Sequence, residues 1–261
     1  MYDMAALESA LAGTSYSRKL HFFATTGSTN TEALEAARAG APHGSVYFAD
    51  EQTAGRGRGD HRWDSQHGAG LYVSVLLRIP IPSAQLPLLP LAAGLAAAES
   101  IQAVAGVSID LRWPNDLLIG DRKAGGILVE SKLDGGTLAF AVVGVGINVH
   151  QRSFDAALAT PATSLDLAVG RTVSRQAVLV ALLKSLEREA ILLGHTEDAK
   201  ALPARLEARS TWVRGKNVTV HGPQACAGVT AGLDDHGFLR VRTAGGIVTV
   251  QTGGIRSLET D

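Results

Sequence analysis

A short segment rich in glycine and arginine carries the first chemistry suggested by this sequence. Glycines and arginines alternate over residues 55–59 (GRGRG), and Arg62 and Trp63 follow. Glycine lets the backbone approach a ligand closely, and each guanidinium offers a planar fork of donors that suits a phosphate or carboxylate. The pattern predicts a mobile loop that closes over an anion. Taken alone, it is explained at least as well by a solvated basic loop or an arginine-glycine nucleic-acid patch.

Two further segments combine a restricted backbone with polar or charged side chains. In the segment 113–116 (WPND), Pro114 fixes its own φ, which would give the side chains of Asn115 and Asp116 a defined position. Both residues are also typical of a simple turn, which is the alternative interpretation. Lys123 precedes the run AGGILVE at 124–130. The two glycines would expose backbone amides beside its point charge, and an ordinary exposed lysine is the alternative interpretation.

Two more segments could line a slot for a small ligand. Glycines alternate in the segment 144–149 (GVGINV), which removes side chains from one face of a strand. The space could take a flat ligand or a closely packed helix. Ser28, Thr29 and Asn30 stand at an expected helix start, where their side chains would either cap the helix or bind a small polar ring.

The elements that must position these segments are mainly strands. Apolar runs bounded by turn residues predict strands at 19–24, 45–49, 71–77, 109–113, 117–119, 124–133 and 137–149. Turn residues at 120–121 and 134–136 join consecutive strands as hairpins, which favours a mixed or antiparallel sheet. No GxGxxG or P-loop signature follows a strand, which argues against a Rossmann or Walker-type nucleotide site.

Helices are expected at 5–11, 86–104 and 173–193, and from Thr29 to about Gly40. Thr29 and Glu32 have the spacing of a capping box. The stretch 86–107 is the only one near membrane-spanning length, but prolines and charged residues interrupt it. We therefore expect a buried core helix there.

The pattern changes after about residue 209. Short apolar runs at 216–221, 226–233, 237–242 and 246–251 are separated by turn residues and predict a small β-barrel or sandwich. We therefore expect two domains, 1–208 and 209–261.

Composition excludes several classes of protein. Hydrophobic residues make up 46% and charged residues 19%, which is enough apolar material to exclude wholesale disorder. The net charge of −1 argues against chain-wide affinity for nucleic acid or anionic membranes. The single cysteine, Cys226, excludes an internal disulfide. Together with an N-terminus unlike a signal peptide, this predicts a cytoplasmic location.

The order of these segments carries more information than any one of them. GSTN, EQTAGRGR with a following tryptophan, RWPNDLL, DRKAGGILVE and GVGINV together resemble the biotin protein ligases, which attach biotin to a carrier-protein lysine. The resemblance covers about 27–149, and 162–165 resembles the family's loop-to-helix transition. It implies an α+β fold similar to class II aminoacyl-tRNA synthetase catalytic domains, with a mixed sheet and helices on one side. A small Src-homology-3-like β-barrel is expected to follow.

The resemblance also implies a two-step reaction. Biotin and magnesium-ATP would give biotinyl-5′-AMP and pyrophosphate, and the acyl group would then pass to a lysine of a biotin carboxyl carrier protein or domain. The biotin carboxylate and the α-phosphate repel each other, and fixed cations in a water-excluded site would offset that repulsion. Positioning and charge stabilisation then suffice without an enzyme nucleophile.

By the resemblance, individual residues acquire expected roles. Lys123 and Arg58 are expected to be catalytic. The expected biotin-binding residues are Ser28, Thr29, Asn30, Gln52, Arg56, Gly57, Arg58, Lys123, Gly126, Gly144 and Gly146. The expected ATP- and adenylate-binding residues are Arg56, Arg58, Trp63, Asn115, Asp116, Lys123 and Asn148, and Asp116 is also a candidate magnesium ligand.

The sequence departs from the family's usual pattern at three positions. The family loop commonly continues as GRGR-x-GR-x-W, whereas here Asp60 replaces a glycine and His61 replaces a third arginine. These changes would alter loop closure and phosphate contact, or would lie at a solvent-facing tip that tolerates substitution. Arg112 stands where lysine is commoner before WPND and keeps the positive charge.

Some ligases of this family also carry an N-terminal helix-turn-helix domain that binds DNA. Only 26 residues precede Gly27 here, too few for a three-helix domain with its own core. We therefore expect a monofunctional ligase with no DNA partner and no membrane association.

Three other functions fit parts of the pattern. A lipoate or octanoyl transfer enzyme shares the fold class, but a lipoyl chain has no ureido group for residues 28–30 to bind. A non-catalytic biotin-binding regulator would not need Lys123 and Arg58. Nucleic-acid binding through the arginine-glycine segment is disfavoured by the net charge.

Overall fold

Seven strands build the larger of two sheets in this computed structural model, which describes residues 2–59 and 61–258. Their bounds are β1 (Leu20–Thr26), β2 (Val46–Gln52), β3 (Gly70–Leu77), β4 (Asp110–Arg112), β5 (Asp116–Ile119), β6 (Arg122–Asp134) and β7 (Thr137–Asn148). The order across the sheet is β1-β2-β3-β7-β6-β5-β4. Only β1 and β2 run parallel, and the other neighbours are antiparallel. The mixed sheet predicted from consecutive hairpins is confirmed.

Six helices within the described ranges accompany this sheet. They are α1 (Met4–Ala10), α2 (Thr29–Arg38), α3 (Leu88–Ala105), α4 (Leu165–Val169), α5 (Arg175–Leu193) and α6 (Thr196–Glu207), with one 3₁₀ turn at Ser83–Gln85 before α3. Helix α4 begins at Ser164, whose side chain accepts a hydrogen bond from Leu167 N. This is the loop-to-helix transition that the resemblance implied.

The two faces of the sheet carry different helices. Side chains alternate between the faces of a strand, and Val46 and Phe48 join the main core with α3, α5 and α6. Tyr47, between them, belongs to a separate cluster with Ala33 and Ala37 of α2. Helix α2 therefore lies on the opposite face. This differs from the expectation of helices on one side only, because the small apolar stripe of α2 packs where Tyr47 points.

The most apolar helix, α3, is buried in the core. Its 18 residues are long and apolar enough to cross a membrane, but 72% of them are buried within the fold. It packs mainly against α5. The prediction of a core helix at this stretch is confirmed.

The last part of the chain forms a second, antiparallel sheet. Its strands are β8 (Arg214–His221), β9 (Cys226–Leu233), β10 (Leu239–Thr243), β11 (Gly246–Val250) and β12 (Gly254–Ser257), in the order β11-β10-β9-β8-β12. Such a sheet is consistent with a small barrel-like domain. The proposed boundary at 208/209 falls between α6 and β8 and stays a prediction.

Three local expectations were wrong or incomplete. The Thr29–Glu32 capping box does not form, because Ser28 is the N-cap and Glu32 Oε1 accepts a hydrogen bond from Thr26 Oγ1 at 2.7 Å. Helix α6 and the short strand β12 were not predicted. Helix α6 buries only four residues and contains Pro203, so its helical periodicity is weak.

Candidate functional site

Three glycines form a flat floor on the α2 face of the sheet. Gly144 and Gly146 alternate along β7, and Gly126 of β6 pairs directly with Gly146. The Trp63 ring lies on this floor, since a Cβ added at Gly146 would come within 2.7 Å of the indole and one at Gly126 within 3.4 Å. The glycines expected to line a slot therefore leave room for a large planar group.

A polar network occupies the neighbouring end of the floor. A Cβ at Gly144 would overlap Asn30 Oδ1, so the glycine is required for Asn30 to sit against β7. The buried hydroxyl of Ser74, on β3, lies 2.5 Å from Asn30 Oδ1 and 2.8 Å from Thr29 Oγ1. Sequence reasoning missed Ser74, because a single serine within an apolar strand has no motif to mark it.

Gln52 joins the same network from the end of β2. Its Oε1 accepts hydrogen bonds from Thr29 N at 2.9 Å and Thr29 Oγ1 at 3.1 Å. Its Nε2 donates to Ser65 Oγ at 2.8 Å. Ser28 is buried at the N-cap of α2 but makes no capping bond with its side chain. The structure thus brings the predicted residues of 28–30 and Gln52 into one cluster.

Lys123 lies beside the glycine floor and pairs with Asp116. Its Nζ is 2.5 Å from Asp116 Oδ1, 5.6 Å from the centre of the Trp63 ring and 3.6 Å from a Cβ built at Gly126. The other carboxylate oxygen accepts from Arg112 Nη2 at 2.7 Å and Arg112 Nε at 3.1 Å. The carboxylate therefore holds two cations near the floor.

The charges around Asp116 set its ionisation. Burial acts to raise the pKa of its carboxyl, but the ammonium of Lys123 and the guanidinium of Arg112 together outweigh burial and hold that pKa below its ordinary value. Asp116 is therefore ionised at neutral pH and keeps Lys123 in place as a cation.

The arginine-glycine segment folds back on itself as a hairpin-like loop. Gly57 N donates to His61 O at 2.7 Å, and Trp63 N donates to Gly55 O at 3.0 Å. The side chain of His61 is exposed, as expected for a solvent-facing tip. Asp60, the other departure from the family pattern, lies outside the described residues.

The two arginines of this loop contact different partners. Arg56 Nη1 and Nη2 donate to the two oxygens of Glu130 on β6, at 3.0 and 2.8 Å. Arg58 Nη1 donates to Gly253 O of the second sheet at 2.8 Å. Burial lowers the pKa of the Arg58 guanidinium, and the charge of Asp116 acts in the opposite direction; arginine nevertheless remains charged in proteins.

The two predicted asparagines bind backbone carbonyls. Asn115 Nδ2 donates to Ile127 O at 2.8 Å, which fastens the WPND turn to β6. Asn148 Nδ2 donates to Thr163 O at 3.0 Å and to Lys123 O at 3.4 Å. Both side chains stabilise the backbone around Lys123, and their contact with a nucleotide stays a prediction.

The donors near Asp116 do not fit a resident metal ion. Its two oxygens face two cationic side chains, whereas Mg²⁺ requires free oxygen ligands. Over 2–59 and 61–258, no group of three or more His, Cys, Asp or Glu residues is placed to hold a metal. The geometry therefore does not support Asp116 as a magnesium ligand.

The arrangement as a whole suits one kind of ligand. The glycine floor accepts a flat body and is covered by the Trp63 ring. The Thr29–Asn30–Gln52 cluster offers donors and acceptors to a polar ring, and Lys123 supplies a cation at the floor's edge. A ligand with a polar ring and an anionic tail matches these features.

Comparison with known proteins identifies the family. The model of the biotin/lipoate A/B protein ligase family matches residues 22–148. The biotin–[acetyl-CoA-carboxylase] ligase of Mycobacterium tuberculosis is 36% identical over 245 residues, which cover 91% of this chain and 88% of that protein. The bifunctional ligase/repressor BirA of Bacillus spizizenii is 36% identical over 233 residues, which cover 87% of this chain and 70% of that protein.

The fold comparison agrees with the sequence comparison. The biotin protein ligase of Aquifex aeolicus, solved in complex with biotin and ATP, superposes with a TM-score of 0.78 at 28% identity. The superposition covers 93% of this chain and all of that one. The motifs, the fold and these similarities together show that the chain belongs to the biotin/lipoate A/B protein ligase family.

Proposed function

We propose that this protein is a biotin–[acetyl-CoA-carboxylase] ligase, which activates biotin with ATP and transfers it to a lysine of a carrier protein. The observation that carries the proposal is Lys123 held as a cation at the edge of a glycine floor, with the Thr29–Asn30–Gln52 cluster at the other side. The relative from M. tuberculosis, similar over 91% of this chain, is named for this activity.

The first step joins two anions. A biotin carboxylate oxygen attacks the α-phosphorus of ATP, and the bond from that phosphorus to the bridging oxygen of pyrophosphate breaks. Biotinyl-5′-AMP and pyrophosphate are the products. Lys123 and Arg58 lower the repulsion between carboxylate and phosphate, and a site closed to water strengthens that effect.

The second step transfers the acyl group. The neutral amine of a carrier lysine attacks the acyl carbon, an amide bond forms, and AMP leaves with the phosphate oxygen. The proton lost by the amine passes to solvent or phosphate. The chain's own contribution is to hold the adenylate and exclude water until the carrier docks.

Binding of the biotin ring is assigned to the polar network. Thr29, Asn30 and Ser74 present hydroxyl and amide groups that can pair with a ureido carbonyl and its N–H groups. A buried site built to hydrogen-bond a polar ring rejects an analogue that lacks those groups. This supports biotin over lipoate or octanoate as the substrate.

The remaining partners follow from this chemistry. Magnesium would enter bound to ATP, and the protein partner is a biotin carboxyl carrier protein or domain. We propose no DNA partner. We place the reaction in the cytoplasm, where ATP and carrier proteins are found together.

The substrate assignment is tested by pyrophosphate exchange. Purified protein with magnesium-ATP and labelled pyrophosphate should form labelled ATP when biotin is added, and should give less than about one hundredth of that rate with lipoate or octanoate. Equal or faster exchange with lipoate would reassign the protein to acyl transfer of that kind. No exchange with any acid, by protein that binds biotin, would favour the non-catalytic regulator.

A further inference from the structure

The first arginine of the loop is bound by a carboxylate of the sheet. Arg56 meets Glu130 in a bidentate pair, with both terminal nitrogens donating to separate oxygens. This geometry fixes direction as well as distance. The fork of donors that would serve a carboxylate or phosphate of the ligand is thus already occupied by the protein's own carboxylate.

The same carboxylate also holds the polar network. Asn30 Nδ2 donates to Glu130 Oε2 at 2.8 Å, while Asn30 Oδ1 is held by Ser74. Both ends of the amide are therefore engaged, so its oxygen and nitrogen have defined positions. Glu130 joins the loop to the start of α2 through one side chain.

The position of the loop determines where Trp63 lies. The backbone hydrogen bonds from Gly57 to His61 and from Trp63 to Gly55 close the loop into a hairpin. Arg56 and Arg62 face each other across it in an antiparallel backbone β-bridge. Fixing Arg56 on β6 therefore also fixes the approach of Trp63 to Gly126 and Gly146. Glu130 is therefore a point at which the loop is bound to the sheet, beside the contact of Trp63 with the glycine floor.

The strength of this contact suits a closing loop. The side chains of Arg56 and Glu130 are 42% and 28% exposed, and partly exposed pairs contribute little net stability. Ordering a loop with three glycines opposes closure through lost backbone entropy. Loss of the charge at Glu130 weakens the side-chain bonds that oppose this entropy, and we expect it to shift the loop towards a more open state.

We propose that Glu130 is a positioning residue for the ligand site, which seats the arginine-glycine loop through Arg56 and orients Asn30 for the ligand's polar ring. The second part rests on the proposed function, since it takes biotin as the ligand. Arg56 then serves to hold the loop, and contact with the ligand's anionic groups falls to Arg58 and Lys123.

Amide hydrogen exchange of the ligand-free protein tests the first part. Exchange of the peptide covering 55–63 should rise about tenfold in Glu130→Gln, the scale of one hydrogen bond to a charged group. Arg56→Gln should give the same rise, and the double variant should add little to either. Glu51→Gln, which changes a carboxylate on β2 outside this pair, is the control and should match wild type.

Two results would contradict the proposal that Glu130 holds the loop through Arg56. One is unchanged exchange in Glu130→Gln, and the other is a double variant whose effect is the sum of the singles. The thermal midpoint of each variant shows whether it is folded, so a rise confined to 55–63 is separable from general loosening. This measurement needs no substrate, so its outcome is independent of whether the protein proves to be a ligase.

Kinetics test the second part. In Glu130→Gln the Michaelis constant for biotin should rise about tenfold, while kcat for adenylate formation stays within about threefold of wild type because Lys123 and Asp116 are untouched. Glu130→Asp, which keeps the charge, should recover part of the affinity. An unchanged Michaelis constant, or a loss confined to kcat, would remove the role assigned to Asn30. If wild type itself forms no adenylate, the proposed function fails. Amide hydrogen exchange then still decides whether Glu130 holds the loop through Arg56.

Discussion

At the residue scale, Asp116 binds two cations, one of which, Lys123, lies beside the glycine floor. One oxygen binds Lys123 and the other binds Arg112. Arg112 is itself held by Thr160 and by stacking of its guanidinium over Trp212. The position of Lys123 is therefore set by a short chain of contacts that reaches the linker between the two sheets.

Lys123→Ala should reduce adenylate formation by about 10²–10³-fold, the scale of one lost electrostatic donor. The reason is that the ammonium acts on charge that redistributes as the carboxylate attacks, so kcat should fall more than biotin affinity. Single-turnover formation of biotinyl-5′-AMP measures this. Lys132→Ala, an exposed lysine of the same strand, is the control; a Lys123→Ala protein that matches it in rate would contradict the assignment.

Asp116→Asn should lower the free energy of unfolding by about 3 kcal/mol at neutral pH, because it leaves two partly buried cations without their partner. The pKa of Asp116 is depressed in the folded state from an ordinary 3.8. Its stabilisation is therefore present above that pH and is lost as the pH falls through the folded-state value.

Urea unfolding of wild type and Asp116→Asn, from about pH 7 down to about pH 3, measures this difference. The gap should be constant above about pH 5 and should close at the acid end. Asp121→Asn, at an exposed turn position, should show no gap. A gap that widens at low pH would show that the carboxyl is not ionised in the folded protein.

Sequence reasoning located the residues of the motifs but not their partners. Lys123, Asp116 and Asn30 stand in recognisable segments, whereas Ser74 and the role of Glu130 depend on contacts 44 and 100 residues away along the chain. Arg58 reaches Gly253 across 195 residues. Such pairings follow from sheet order and loop position, which local patterns do not encode.

At the scale of elements, the alternate glycines of β7 define the shape of the site. Gly146→Ala should force the Trp63 ring to move, because the new Cβ would lie 2.7 Å from indole atoms. We expect the Michaelis constant for biotin to rise about tenfold, at the lower end of the cost of overpacking. Gly245→Ala, whose Cβ would meet its nearest neighbour at 3.9 Å, is the matched control.

Steady-state kinetics and thermal denaturation of the two glycine variants separate site effects from loss of fold. If Gly146→Ala binds biotin as wild type does, the glycine floor is a packing feature and not part of the ligand site.

Elements with strong local patterns were predicted well, and weakly patterned ones were not. Strands β3, β6 and β7 have long apolar runs, so their ends were located within about two residues. Helix α6 has few buried positions, and β12 has only four residues. The separation of α2 from the other helices required knowledge of which face each strand residue occupies.

At the scale of the whole molecule, the two sheets share one core. Leu239 and Val241 of β10 belong to the same apolar cluster as Leu88 and Leu91 of α3. Trp113, the first residue of the WPND segment, donates through Nε1 to Gly237 O at 3.0 Å. The second sheet is therefore packed against the core that supports the site.

Calorimetric unfolding should show one cooperative transition for both sheets, because they share this core. Trp113→Phe removes the bond to Gly237 and should lower the free energy of unfolding by about 1 kcal/mol, with the single transition shifting as a whole. Two resolved transitions, or a shift in only one part, would show that the proposed domains 1–208 and 209–261 unfold independently.

The measurement that tests the central claim most directly is mass spectrometry of the protein incubated with biotin and magnesium-ATP, followed by addition of a biotin carboxyl carrier domain. We predict biotinyl-5′-AMP bound to the protein before the carrier is added. After addition, we predict its disappearance together with a carrier that has gained one biotin on a lysine. Lys123→Ala protein should give neither product at a comparable rate. Absence of biotinyl-5′-AMP from folded, biotin-bound wild-type protein, with the carrier unmodified, would contradict the assignment of this chain as a biotin ligase.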